Sequence, residues 1–256
     1  MLFGLILFIA SFPILFWNEG RAVKTARSLS EGAGAVVSVS AETVVQSNEG
    51  KLVHVSSPVT TDGPVADDEI GVEADGVVLR RNVEMFQWIE EKKSETRKKL
   101  GGGEETVTTY EYKKDWNDEP VDSSSFQEPG GHENPGGFPL PPAGFVADPV
   151  RVGAFVMSEE QIDKLSDAKD HPLPDDFQPT LPESLADQAR ISQGKIFVGA
   201  DPASPVVGDF RISYQVIAPQ AVSLIGVQTG DSFAAYQAEA GDTVLLVEEG
   251  SHTAEA

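Results

Sequence analysis

The chain has 256 residues, of which 41 are Asp or Glu and 19 are Lys or Arg, and its formal net charge at pH 7 is -22. This charge argues against nucleic acid, or an anionic bilayer surface, as a partner of the chain as a whole. The absence of cysteine excludes disulfides, a thiol nucleophile and a cysteine metal site. Hydrophobic residues make up 40% of the chain, which is enough for a core in one large domain or two small ones.

An uncharged apolar run at residues 1–17 opens the chain. A helix rises about 1.5 Å per residue, so a hydrocarbon core of about 30 Å needs roughly 20 apolar residues. The run is slightly shorter than that, and a membrane-spanning helix competes with a cleaved signal peptide and a buried core helix. We favour the span, because no basic residue precedes Trp17 and apolar side chains cover every helical face. We expect the membrane interface at Trp17, Asn18, Glu19 and Arg21.

The composition predicts a transmembrane helix at 1–17, a juxtamembrane linker at 18–33, a β-rich domain at 34–248 and a tail at 249–256 leading towards a further span. Within the domain, residues 117–149 are rich in Gly and Pro and predict a long loop, which is usually functional or disordered. The orientation stays open. Basic residues in the linker would place the domain in the cytoplasm by the positive-inside rule, but a basic segment upstream of residue 1 would change that reading.

Alternation of apolar and polar residues predicts strands at 35–45 and 51–56, separated by a turn. The acidic run 67–69 is interpreted as a solvated loop, because it lacks the oxygen-ligand spacing of a calcium site. Two longer segments, 72–91 and 106–116, are predicted to pair as an antiparallel hairpin. Its basic tip at 92–105 is interpreted as a solvated turn.

Further strands are predicted at 150–157, 195–198, 209–217, 222–229 and 243–247. Ser158 with Gln161 three residues later indicates a capping box and a helix to about residue 167, and a second short helix is predicted at 182–189. The fold class is therefore mostly β with short helices, as antiparallel sheets in a sandwich or partly open barrel, preceded by one transmembrane helix.

The sequence contains none of the phosphate-loop, dinucleotide, HExxH or GxSxG patterns of common enzyme classes. The four His residues are scattered. His132 lies beside Glu133 without a second ligand at a usable spacing. We therefore predict no catalytic residue, no cofactor and no metal site.

Several stretches resemble the transmembrane protein 43 family, also called LUMA. The stretches that carry the resemblance are 16–23 (FWNEGRAV), 81–88 (RNVEMFQW), 110–116 (YEYKKDW), 131–135 (GHENP) and, in the second half, 208–214 (GDFRISY). The resemblance implies four spans with a large domain between the first two, lumenal or perinuclear in eukaryotes and periplasmic or extracellular in bacteria. This chain would hold the first span and that domain. The lack of Cys and the low pI favour a bacterial member.

The resemblance also implies a non-enzymatic membrane protein, since animal members look like organisers that oligomerise and bind other membrane and lamina proteins. Our first hypothesis is a membrane-anchored scaffold, with the bilayer, a second copy and another membrane protein as partners. The alternative is a lipid-binding or lipid-sensing domain beside the bilayer, which an apolar pocket open towards residues 18–30 would favour. An envelope hydrolase is a third reading that no residue set supports. The expected partner or lipid contacts are Met85, Phe86, Trp88, Tyr110, Tyr112, Trp116 and His132.

Overall fold

The computed structural model describes residues 2–99 and 101–254, so Met1 of the predicted span, Leu100 of the hairpin tip and residues 255–256 of the predicted tail lie outside the described residues. The helices along this part of the chain are α1 (Leu2–Ala35), α2 (Glu159–Ile162) and α3 (Glu183–Ala186). The strands, in chain order, are β1 (Val37–Ser38), β2 (Leu52–Thr61), β3 (Val65–Asp67), β4 (Val72–Ala74), β5 (Val78–Lys98), β6 (Glu104–Asn117), β7 (Ala143–Val146), β8 (Val150–Val152), β9 (Phe155–Val156), β10 (Ala168–His171), β11 (Ala189–Ser192), β12 (Lys195–Val198), β13 (Phe210–Ile217), β14 (Ala221–Thr229), β15 (Ser232–Ala234), β16 (Tyr236–Gln237), β17 (Thr243–Val244) and β18 (Leu246–Glu249).

Helix α1 confirms the predicted N-terminal helix and extends it. It does not end at Trp17 but continues through the predicted linker 18–33, for a total of 34 residues. The continuation at 18–33 contains three Ala, two Arg and two Glu residues, which favour helix over an extended linker. Within residues 2–99 and 101–254, no helix combines the length and the apolar character needed to cross a membrane.

The predicted β-rich region is divided between two compact units. Unit 1 comprises the residues up to Pro64, Ala147–Asp167 and the residues from Ile217 onwards, and unit 2 comprises Val65–Val146 and Ala168–Val216. A seven-stranded sheet forms the centre of each unit. The mostly β fold class with antiparallel sheets is therefore confirmed.

The sheet of unit 1 has the strand order β15-β14-β2-β8-β9, with β1 beside β2 and β18 beside β14. Val53, Val55 and Leu224 are fully buried in its core. The predicted strand at 35–45 is mostly wrong, because only β1 pairs, and it pairs in parallel with β2. Residues beyond it turn away, and the carbonyl of Ala41 accepts a hydrogen bond from the Ala154 N–H instead of a ladder bond.

The sheet of unit 2 has the order β11-β12-β13-β5-β6, with β10 beside β13 and β7 beside β5. The predicted hairpin is confirmed, since β5 and β6 pair antiparallel from Met85–Asn117 to Lys98–Glu104. Most of the predicted tip is strand rather than turn. Thr96 lies opposite Thr106, and Glu95 lies opposite Val107. The Thr and Val side chains are β-branched, and β-branched residues favour strands.

Shorter elements follow the sequence less closely. The capping box of Ser158 and Gln161 is present, but α2 ends at Ile162 rather than near residue 167. The strand predicted at 209–217 is confirmed as β13. The region 117–149 contains β7 and a 3-10 turn at Ser123–Ser125, where the Asp122 side chain accepts a hydrogen bond from the Ser124 N–H. Residues 117–146 of this region belong to unit 2, and residues 147–149 belong to unit 1.

Candidate interaction surface

Polar side chains hold the second half of α1 against the rest of unit 1. We call these contacts the helix clasp; it joins Lys24, Thr25, Ser28 and Glu31 to residues 236–242. The ammonium of Lys24 lies 3.0 Å from Asp242 Oδ1, and the Thr25 hydroxyl donates a 2.7 Å hydrogen bond to Asp242 Oδ2. Ser28 is buried, and its Oγ accepts a hydrogen bond from the Asp242 N–H at 3.3 Å. The bonds from Thr25 and Lys24 lower the pKa of Asp242.

Glu31 forms the other half of the helix clasp. Its carboxylate accepts hydrogen bonds from the N–H of Glu239 at 3.0 Å, the Tyr236 hydroxyl at 2.8 Å and the N–H of Ala240 at 3.4 Å. The Glu239 N–H, and after it the Tyr236 hydroxyl, hold the pKa of Glu31 below its ordinary value. The carboxylate thus satisfies a turn of backbone that would otherwise expose its N–H groups.

The predicted linker 18–33 contains the helical residues of the helix clasp, for which no contact is predicted from the sequence. The signal is a polar stripe, since residues 24, 28 and 31 are spaced so that they share one face of a helix. The predicted interface residues Trp17, Asn18, Glu19 and Arg21 lie on α1 before the clasp, and all are exposed. Further towards the N-terminus the exposed side chains are large and apolar. They include Leu7, Phe8, Phe12, Ile14, Leu15 and Phe16, and Phe16 is 81% exposed.

Three of the predicted contact residues form one aromatic cluster in unit 2. The His132 ring stacks on Tyr112 with centroids 3.9 Å apart and meets the edge of Trp88 at 4.7 Å. His132 Nδ1 donates a hydrogen bond to the carbonyl of Glu128, and the Lys114 ammonium lies 4.6 Å from the Trp88 ring centroid. The hydroxyl of Tyr112 donates to Glu90 at 2.7 Å. Burial, reinforced by that carboxylate, raises the pKa of Tyr112.

A second cluster involves Phe86 and Trp116, which lie opposite each other on β5 and β6 with ring centroids 5.4 Å apart. The guanidinium of Arg211 lies 4.3 Å from the Trp116 ring centroid and donates two hydrogen bonds to Glu84, of 2.7 and 2.9 Å. These bonds lower the pKa of Glu84. The cluster therefore combines aromatic packing with an ion pair on one face of the sheet.

Two predicted contact residues stand apart from these clusters. Met85 is 1% exposed, so in this structure its side chain packs in the core of unit 2 and cannot meet a partner or a lipid. It fails as a contact because β5 alternates, which turns Met85 and Gln87 inwards and Phe86 and Trp88 outwards. Tyr110 is half-buried, and the Lys92 ammonium lies 6.0 Å from its ring centroid.

Unit 2 also contains a buried ionic network that the sequence did not indicate. Asp67, interpreted as part of a solvated loop, is fully buried. Its Oδ2 accepts hydrogen bonds from Arg81 Nη1 at 2.9 Å and from the Tyr214 hydroxyl at 2.7 Å. Burial, together with the Asp67 charge, raises the pKa of Tyr214. Arg81 Nε also donates to the carbonyl of Pro141, so the network anchors the 117–149 region to the sheet.

Unit 1 holds a buried histidine, His54, whose Nδ1 lies 3.4 Å from Ser38 Oγ. Its Nε2 has no hydrogen-bond partner among the described residues. His54 faces a cavity of about 30 Å³ that is also lined by Ser223, Glu248 and His252. Burial, and to a lesser degree the nearby His252, lowers the pKa of His54. The residue therefore favours its neutral form in the folded state.

The family model of transmembrane protein 43 matches residues 85–256 of the chain. The chain belongs to the transmembrane protein 43 family. It is 35% identical to transmembrane protein 43 of Rattus norvegicus over 269 residues and of Homo sapiens over 270 residues, in both cases over 100% of this chain. It is 32% identical to the transmembrane protein 43 homolog of Drosophila melanogaster over 251 residues, or 96% of this chain.

The chain spans 65% of the length of these relatives. No solved structure matches the chain significantly. The names of these relatives mention no enzymatic activity, and they describe transmembrane proteins. The family assigned from the short stretches of sequence is thereby confirmed.

Proposed function

We propose that this member of the transmembrane protein 43 family is a membrane-anchored scaffold, in which α1 holds unit 1 at the bilayer and the β units offer surfaces to other proteins. The observation that carries the proposal is the division of α1 into two halves. The first half exposes large apolar side chains around Phe12 and Phe16, and the second half is fixed by the helix clasp. Several large apolar side chains exposed next to one another mark a membrane or protein contact.

A clasped helix differs from a flexible tether in what it can do. The helix clasp holds α1 to the rest of unit 1 through side chains on two successive turns and through the backbone N–H groups of Glu239, Ala240 and Asp242. Unit 1 then keeps a defined orientation to the anchor helix, as a scaffold requires if its partners are to meet at a set distance from the bilayer. In this proposal the chain is an integral membrane protein, with its domain lumenal, perinuclear, periplasmic or extracellular.

Lipid binding is the competing function. An apolar pocket open towards residues 18–30 would support it, but the α1 face at Ser28 and Glu31 is covered by the polar backbone of residues 239–242. The aromatic rings of Trp88 and Tyr112 pack against His132 rather than against an open acyl-chain groove. These contacts favour the scaffold over a lipid carrier.

The test has two stages on the full chain expressed in a membrane. Alkaline carbonate extraction should leave the chain in the membrane fraction, whereas a variant lacking residues 1–17 should be released. Native mass spectrometry from mild detergent should then give discrete lipid-free oligomers or a complex with a protein partner. Extraction of the full chain by carbonate would overturn the anchor. A monomer carrying one retained lipid would replace the scaffold with the lipid-binding function.

A further inference from the structure

Strand β6 is a long edge strand of unit 2. It lies at the end of the strand order, pairs with β5 on one side, and has no strand partner on the other side among the described residues. The strand is fourteen residues long, and every second residue along it directs its backbone N–H and C=O groups at this open edge. Most natural sheets shorten, cover or distort such an edge, because its free N–H and C=O groups are a template for another strand.

The direction of the free groups follows from the bonds on the opposite side of the ribbon. The N–H of Phe86 donates to the Asp209 carbonyl, and that of Trp88 donates to the Asn134 side chain. The backbone N–H and C=O groups of even-numbered β5 residues therefore point away from β6. Phe86 lies opposite Trp116, so the backbone N–H and C=O groups of even-numbered β6 residues point away from β5. The backbone of residues 104, 106, 108, 110, 112 and 114 is thus directed at the open edge.

We infer that the occupant of this edge is β6 of a second copy of the chain, paired antiparallel about Thr109. This inference rests on the proposed scaffold and names its self-association surface. In that register Glu104 lies opposite Lys114, and Glu105 lies opposite Lys113, in both halves of the symmetric pair. Opposite charges across an antiparallel pair are stabilising, as are Thr–Tyr pairs such as Thr108 with Tyr110.

The charge pattern selects this register over its neighbours. The outward backbone groups must meet in pairs, so the allowed registers move the two-fold centre by one residue at a time. Centring on Thr108 places Glu105 opposite Glu111, and centring on Tyr110 places Glu105 opposite Asp115. Like charges directly opposite are destabilising. The charges of β6 therefore oppose these neighbouring self-pairings while complementing the pairing about Thr109.

The native chain has no cysteine, so single substitutions report the register directly. Thr109→Cys places two thiols in a non-hydrogen-bonded pair with Cα atoms about 4.5 Å apart, within disulfide range. Mild oxidation of the full chain in membranes should give a disulfide-linked dimer. Thr106→Cys is the matched control, because it is equally exposed but its two copies would lie about 20 Å apart at about 3.3 Å per residue. It should stay monomeric under the same oxidation.

A charge exchange tests the energetics of the same contact. Glu104→Lys or Lys114→Glu alone places like charges opposite each other and should weaken the dimer in detergent by about tenfold or more. The double variant Glu104→Lys/Lys114→Glu restores the pairing and should recover the native dissociation constant. Circular dichroism of each variant checks that the hairpin is folded.

The outcomes separate this inference from the scaffold itself. Oligomers that persist in native mass spectrometry, without a Thr109→Cys crosslink and without an effect of charge exchange, would overturn the β6 contact and leave the scaffold standing. Equal crosslinking of the Thr109→Cys and Thr106→Cys variants would indicate random collision and would also overturn it. A chain that binds neither itself nor another protein would remove the scaffold proposal as a whole.

Discussion

The side-chain amide of Asn134 forms both hydrogen bonds that a neighbouring strand would form with Trp88. Asn134 Oδ1 accepts from the Trp88 N–H at 2.8 Å, and Asn134 Nδ2 donates to the Trp88 carbonyl at 2.9 Å. Asn134 Nδ2 also reaches the carbonyl of Val121 at 3.2 Å. One residue of the GHENP stretch therefore takes the place of a neighbouring strand at Trp88, and His132 of the same stretch packs on Tyr112. We expect these two hydrogen bonds between Asn134 and Trp88 to stabilise the contact of the 117–149 region with β5.

Asn134→Ala should leave the part-buried N–H and carbonyl of Trp88 without partners and should lower the free energy of unfolding by about 1–3 kcal/mol. Asn134→Asp separates the two bonds, because a carboxylate still accepts from the Trp88 N–H but cannot donate to the Trp88 carbonyl. It should lower the free energy of unfolding nearly as much as Asn134→Ala does. Urea unfolding of the full chain in mild detergent, followed by Trp fluorescence, measures both. A loss below about 0.5 kcal/mol for the Ala variant would contradict the strand-like role.

Arg81→Met should be the most damaging single change in unit 2. It removes the cation from a fully buried Asp67 and should cost about 3–5 kcal/mol of unfolding free energy, because the remaining charge is uncompensated. Arg81→Met combined with Asp67→Asn removes both charges and should recover part of the loss. The measurement is the same urea titration. An Arg81→Met variant as stable as the double variant would show that the ion pair does not govern this core.

In the tight turn between β11 and β12, Gln193 occupies a left-handed backbone conformation that Gly and Asn adopt more readily. Gln193 has φ of 53° and Gly194 has φ of 73°, the positive values that a two-residue type I′ hairpin turn requires. Gln193→Asn should raise the thermal midpoint slightly, with a gain of about 0.5 kcal/mol, since Asn tolerates this backbone better. Gly194→Ala should destabilise, because its Cβ would lie 2.7 Å from Pro172 Cβ. An Asn variant less stable than the native chain would contradict this account.

The helix clasp should weaken in acid. The pKa of Glu31 is lower in the folded chain than its ordinary value of about 4.5, so its contribution is complete above that pH and is lost as the pH falls through the folded pKa. Hydrogen exchange at the amides of Glu239 and Ala240 should therefore accelerate below about pH 4.5, beyond the intrinsic pH effect. Glu31→Gln should exchange fast at all pH values. Glu19→Gln, on α1 outside the clasp, should behave as the native chain.

His54 should make the stability of unit 1 depend on pH in a second range, above the range in which Glu31 acts. The pKa of His54 is lower in the folded chain than its ordinary value of about 6.5. As the pH falls below about 6.5, the unfolded chain therefore binds the proton before the folded chain does, and the free energy of unfolding decreases. The decrease ends once the pH is below the folded pKa. His54→Gln should remove this component of the pH dependence between about pH 7.5 and 5, measured by urea midpoints in detergent. His171→Gln, in unit 2, is the control. An unchanged profile in the His54 variant would show that the His54–His252 cavity does not control stability.

Local sequence patterns determined much of this protein. The apolar run predicted a helix, alternation predicted β6 and β13, the dense apolar and aromatic stretch at 72–91 predicted β5 as the partner of β6, the Ser158 and Gln161 spacing predicted a capping box, and short motifs indicated the family. These features depend on residues a few positions apart, whose periodicity, capping and family resemblance are readable from the chain. The contact roles predicted for Trp88, Tyr112 and His132 remain predictions, although the structure does bring the three rings together.

Tertiary structure decided what distant residues do to one another. Asp67, Arg81 and Tyr214 are separated by up to 147 positions, and the charge in an apparent loop became buried only because the sheet placed a guanidinium and a hydroxyl beside it. The helix clasp likewise joins positions more than 200 apart. Burial and long-range hydrogen bonding depend on how the strands are ordered, and no local periodicity specifies that order.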